Sequence, residues 1–170
     1  MADIGLLILR LVLGLTIAAH GAQKLFGWFG GSGLQGFGGM MEKMNLRPGW
    51  LWALAGGMGE FAGGLLLALG LLTPVGSALV IGGMMMAIAM VHLAKGFWNT
   101  NGGYEYNLVN IAAAMALGLT GPGAYALDAA LPPDIPWLTV FSVSLTVVLV
   151  GVAGGLLVQE RHAARVPRAQ

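Results

Sequence analysis

Between Trp50 and Leu72 the chain is apolar except for one charge, Glu60. A carboxylate in such a run can accept or relay a proton. Few side chains could share that work. His20 and His92 supply imidazoles that can donate or accept a proton, and Glu105 supplies a second carboxylate. Phe97, Trp98 and Tyr104 could wall a flat ring. A donor that titrates near neutrality, a carboxylate and aromatic walls are the parts that a quinone headgroup site requires. The candidate catalytic set is therefore His20, Glu60, His92 and Glu105. Lys24 and Lys95 would hold their charge, and Arg10, Trp98, Tyr104 and Asp128 complete the binding set. Each residue also has a structural reading. Glu60 could form a buried ion pair with Lys24 or Arg10. The histidines could reach lipid headgroups. Glu105 could serve a helix dipole, and Asp128 could be an ordinary turn carboxylate. No metal site is expected, because the chain has neither HExxH nor an i,i+4 histidine pair suited to one. With no cysteine, thiolate chemistry and iron–sulfur ligation are excluded. Electron chemistry would have to come from a bound cofactor, with none covalently held, or from a quinone or a partner.

The elements that position these residues follow from composition. The chain has 170 residues, 57% of them hydrophobic and 9% charged, with a mean hydropathy of +0.81. A soluble domain carries roughly 25% charged residues, so lipid must be the solvent for much of this surface. A net charge of +1 gives no support for nucleic-acid binding, which needs a basic face, and no nucleic-acid partner is expected. A bilayer core takes about 20 apolar residues per helix. The predicted spans are 4–26, 50–72, 75–94, 104–119 and 137–158, with an interfacial helix over 34–45. The expected class is all-α, an integral membrane helical bundle. Residues 1–130 form a four-helix core, 131–158 a loop and fifth span, and 159–170 a basic tail. Met1-Ala2-Asp3 lacks a basic leader segment, so the first apolar run reads as a membrane helix and not as a secretory signal. Lys24, Lys43, Arg47, Lys95, Arg161, Arg165 and Arg168 all fall at or beyond one set of helix ends. By the positive-inside rule that side is cytoplasmic, which puts the N-terminus outside and the C-terminus inside.

At 100° per residue, Arg10, His20 and Lys24 share one side of the first helix. That side must face inward, because lipid penalises charge. His20 lies about 24 Å below Ile4 and His92 about 25 Å below Val75, so the two imidazoles fall at similar depth. Glu60 leans toward them from an ascending helix, and Glu105 opens the fourth span on the same side. The expectation is one polar cluster of His20, Lys24, Glu60, His92, Lys95 and Glu105. Arg10 sits apart, paired with loop carbonyls, Asp128 or anionic lipid. The many glycines, 29 in all, read as close helix–helix contacts.

The stretch Arg10-x9-His20-Gly21-x2-Lys24-Leu25-Phe26-Gly27 resembles the opening signature of the DoxX family. Glu60 with Gly63-Gly64, His92-x2-Lys95-Gly96-Phe97, Asn101 to Asn107, and Gly121 to Asp128 resemble its later motifs, with Ala126 where Ser is common. The likeness covers roughly residues 4–130. It implies a compact helical bundle in a prokaryotic cytoplasmic membrane and an oxidoreductase label that derives from a thiosulfate:quinone oxidoreductase subunit. By that resemblance the characteristic polar positions are Arg10, His20, Lys24, Glu60, His92, Glu105 and Asp128.

The leading expectation is a membrane subunit of a quinone-linked or other redox system that works with a soluble enzyme, alone or as an oligomer. The alternatives are a non-catalytic anchor or assembly factor for a soluble enzyme, and a transporter of a lipid or small molecule.

Overall fold

The computed structural model describes residues 1–132 and 134–164; Arg165 and Arg168 of the expected basic tail lie outside them. Six α-helices account for most of the described chain: α1 (Ala2–Phe26), α2 (Gly33–Lys43), α3 (Gly49–Leu69), α4 (Thr73–Ala87), α5 (Glu105–Thr120) and α6 (Trp137–Ala164). Among the described residues four stretches are long and apolar enough to cross a bilayer: Ala2–Phe26, Gly49–Leu69, Thr73–Lys95 and Trp137–Ala164. At 16 residues α5 is shorter, about 24 Å. Helix α6 runs past 158 to Ala164, since no glycine or proline interrupts residues 156–166.

The outside of the bundle is apolar. Ile8, Val12, Val143, Val147 and Val150 are all more than half exposed. The interior holds Arg10, Glu60 and Asp128 and the glycines of the helix contacts, an arrangement for a solvent without water. Helices α1 and α3 run antiparallel at backbone contact. A Cβ on Gly14 would lie 2.5 Å from the Gly64 carbonyl oxygen, one on Gly21 would lie 2.3 Å from the Phe61 nitrogen, and one on Gly64 would lie 2.4 Å from the Ala18 nitrogen. Gly63 and Gly76 bring α3 and α4 together in the same way, and Gly118 receives the Phe141 ring of α6. The core between them is Leu13, Ile17, Leu67, Val80, Ile81 and Leu117 with their neighbours. Helix α2 folds over the start of α3, packing Met41 and Leu46 on Ala53.

Two breaks in helical geometry matter for the site. After Phe26 the chain turns through Gly27 at φ 73° and then places Phe29, a residue with a Cβ, in the left-handed region at φ 52°. Helix α4 ends in one π-turn, Ile88–His92, followed by a tight turn over Leu93–Lys95. Such π-turns recur at functional positions because they re-aim side chains.

Candidate functional site

The interior charges form two layers, one toward each end of α1. Arg10 and Lys24 are fourteen positions apart, which is roughly 21 Å along the axis. At the end that carries the N-terminus, the loop after α5 works as a strap. Asp3 accepts from the Ala124 N–H at 2.9 Å, and Arg10 donates to the Tyr125 carbonyl. Asp128 then grips the α3–α4 turn. Its carboxylate accepts from the Leu72 N–H at 2.7 Å and the Thr73 N–H at 2.9 Å. Its own N–H donates to the Gly70 carbonyl at 2.8 Å. The carboxylate therefore caps α4 from a distant segment, meeting N–H groups that have no partner within the helix. Arg10 is 2% exposed and feels the Asp128 charge.

At the other end Lys24 and Glu60 form an ion pair across α1 and α3. Glu60 is 3% exposed and Lys24 28%. The Lys24 ammonium also stands 5.1 Å from the centre of the Phe37 ring of α2. Gly83 of α4 leaves room for the Glu60 side chain, since a Cβ there would come within 3.4 Å of its Cγ. One Glu60 oxygen, Oε2, is buried without a hydrogen-bond partner among the described residues. Removing one member of a buried pair strands the other charge, at roughly 3–5 kcal/mol when both are fully buried. Lys24→Met is therefore expected to destabilise the protein by about 2 kcal/mol, the smaller figure reflecting the partial exposure of Lys24. Lys24→Met with Glu60→Leu should recover most of that loss. Unfolding in a mixed-micelle titration, followed by the fluorescence of the five tryptophans, reads both variants.

The remaining predicted residues each have their own partner. His20 lies on an exposed edge of α1. Its Nδ1 meets Gln23 Oε1 at 3.2 Å, and its ring stands edge-on to Tyr106, with centroids 6.2 Å apart. His92 Nδ1 donates to the Gly102 carbonyl at 2.6 Å, and the Lys95 chain lies against Gly102. Glu105 accepts from the Asn99 N–H at 3.0 Å. Phe97 packs edge-on against both Trp98 and Tyr104, and Trp98 is largely exposed. No hydrogen bond or ion pair among the described residues links His20, His92 or Glu105 to the Lys24–Glu60 pair. The single six-residue cluster expected from helical depth is thus divided into separate stations. Similar depth puts side chains in one layer, but their azimuths direct them to different neighbours. Among the described residues no group of three or more His, Asp or Glu side chains could hold a metal ion.

A hollow does form around one of these stations. It measures about 400 Å³ and is lined by Leu15, Thr16, Ala19, His20, Gln23 and Phe29. A second hollow of about 390 Å³ is lined by Asn99, Thr100, Glu105, Tyr106 and Val109. The edge contact of His20 with Tyr106 joins their walls. Sequence reasoning missed Gln23, Phe29 and Tyr106 as lining residues. Gln23 was within reach of it, three positions from His20 on the same helix face. Phe29 was not, because only the left-handed turn brings it back over α1.

These features define a multi-pass helical membrane protein whose interior is held by an ion pair toward one end and by side chain–backbone hydrogen bonds toward the other, and whose flank carries a polar-edged hollow. A sequence profile of the DoxX family matches residues 5–93, just over half the chain, and the protein belongs to that family. It is 28% identical over 130 residues to the inner membrane protein YqjF of Escherichia coli (strain K12), a match spanning 75% of this chain and 92% of that one. No solved structure matches.

Proposed function

We propose that this protein is the membrane subunit of a redox system that binds a quinone or a similar small hydrophobic molecule at the His20 hollow. The observation that carries the reading is the composition of that hollow. It is a shallow hollow, open on one side, with room for one flat ring against the flank of α1. Leu15, Ala19 and Phe29 offer an apolar wall, while Thr16, His20 and Gln23 offer hydrogen-bonding groups. These residues fit a flat ring with polar substituents. When bound, a quinone carries electrons and protons together; the part of this chain is to seat the ring, hydrogen-bond its substituents and keep its tail in lipid. His92, Trp98, Tyr104 and Glu105 belong to the neighbouring loop and the second hollow. Lys24 and Glu60, and Arg10 and Asp128, hold the helices in register.

The same reading gives the chain five crossings of a prokaryotic cytoplasmic membrane, with α5 as the fourth and short one. It puts the N-terminus outside and the C-terminus in the cytoplasm, a reading that the distribution of Lys and Arg supports. A soluble redox enzyme would dock on the basic inner face.

In lipid nanodiscs under argon a short-tailed benzohydroquinone should bind the protein, and His20→Leu should weaken binding about tenfold, the worth of one hydrogen bond. The melting temperature should stay unchanged, since His20 is exposed. Equal binding to wild type and His20→Leu would refute the assignment of this site. A second reading, a non-catalytic anchor for a soluble enzyme, draws support from the separate structural partners of Lys24, His92 and Glu105. A partner that co-purifies stoichiometrically and keeps full activity beside a His20→Leu subunit would favour it.

A further inference from the structure

Gln23 carries two hydrogen bonds whose logic reaches His20. Its Nε2 donates to the Phe29 carbonyl at 3.2 Å, and its Oε1 lies 3.2 Å from His20 Nδ1. A backbone carbonyl can only accept, so the Gln23 atom that faces Phe29 must be the amide nitrogen. The atom that faces His20 is then the amide oxygen, which also can only accept. His20 Nδ1 must therefore carry the proton. In the neutral ring this leaves Nε2 with a bare lone pair, and Nε2 makes no hydrogen bond to any described residue. The other end of the relay is anchored by an unusual feature, the left-handed backbone of Phe29 at φ 52°. A β-carbon in that region costs free energy, and it persists where the surroundings hold it. The Gln23 bond to the Phe29 carbonyl is one such restraint. His20, Gln23 and Phe29 all line the same hollow.

We infer that Gln23 is a positioning residue that locks neutral His20 in its Nδ1–H tautomer, and that the hollow therefore selects a ligand with a ring hydroxyl over one with only ring carbonyls. A hydroxyl donates to a bare Nε2, whereas a carbonyl finds no donor there. The ligand class is a hydroquinone or another phenol with an apolar tail. This rests on the proposed small-molecule reading of the hollow; the tautomer does not.

Nitrogen-15 spectra of histidine-labelled protein in nanodiscs, taken at a pH where the imidazole is neutral, separate the two tautomers without any ligand. The His20 signal, identified by its absence from His20→Leu, should report Nδ1–H in the wild type. It should remain so in Gln23→Glu, whose carboxylate still accepts from Nδ1. It should move toward Nε2–H in Gln23→Leu, where nothing accepts from Nδ1. A purely structural role for Gln23 would leave that signal unmoved. Under argon, a decyl-substituted benzohydroquinone should bind the wild type about tenfold more tightly than its benzoquinone, and Gln23→Leu should erase the preference. An Nε2–H signal in the wild type overturns the inference whatever binds. An Nδ1–H signal with preference for the benzoquinone overturns the ligand class alone. An Nδ1–H signal with no binding of either ring overturns the ligand class and the small-molecule reading beneath it, and leaves the tautomer lock standing.

Discussion

Asp128→Ala is expected to destabilise the protein by about 2–4 kcal/mol, chiefly the cost of leaving two helix-start N–H groups without acceptors. The substitution acts in two ways. It strips the acceptors from the Leu72 and Thr73 N–H groups at the start of α4, and it removes the counter-charge of the buried Arg10. The strap from Gly121 to Ala130 would keep its ties to Asp3 and Arg10 but lose its hold on the α3–α4 turn. Asp128→Asn should fall between wild type and Asp128→Ala, since an amide keeps one acceptor and no charge. Arg10→Met in the Asp128→Ala background should return part of the loss, because the stranded guanidinium goes with it. Tryptophan fluorescence during denaturant-micelle unfolding measures all of these. A loss below about 1 kcal/mol, the scale of a surface pair, would show that Asp128 does not hold this end of the bundle.

The other large effect belongs to the α1–α3 seam. Gly64→Val should cost more than about 3 kcal/mol, beyond the usual range for overpacking, and leave little folded monomer in mild detergent. Even the first carbon of the new side chain would fall 2.4 Å from the Ala18 nitrogen and 2.5 Å from the Gly14 carbonyl oxygen. These are backbone atoms, so no rotamer change relieves the clash; the helices must move apart. The separation would also pull Lys24 away from Glu60, which sit in the same antiparallel seam. Gly154→Val in α6 is the matched control. A Cβ there meets nothing within 4 Å, so monomer yield and melting temperature should stay at wild-type values. Size-exclusion chromatography and the tryptophan melt distinguish the two glycines directly.

The hydrophobic runs, the glycine spacing and the scarcity of charge sufficed to define a helical membrane bundle. Lipid leaves the backbone few ways to satisfy its own hydrogen bonds, and a helix is the local one. The inward side of α1 was likewise legible from Arg10 and Lys24, because a charge cannot face hydrocarbon cheaply. Which partner each charge takes was not legible. Depth along the helices placed Glu60 with Lys24 and set Arg10 apart, but the pairing itself depends on the α1–α3 register, which is set by Gly14, Gly21 and Gly64 meeting the backbone opposite. Asp128 read as a binding residue, a partner of Arg10 or a turn carboxylate; its cap on α4 was not legible, because the N–H groups it meets lie more than fifty positions away in the chain. The hollow beside His20 depended on a left-handed Phe29 and on the approach of Tyr106 from α5, neither of which has a periodic signal. Local rules of burial and period decided the elements and their inward faces; only the packing of one helix on another decided which polar groups meet, because a contact between distant segments depends on the azimuth and offset of both at once.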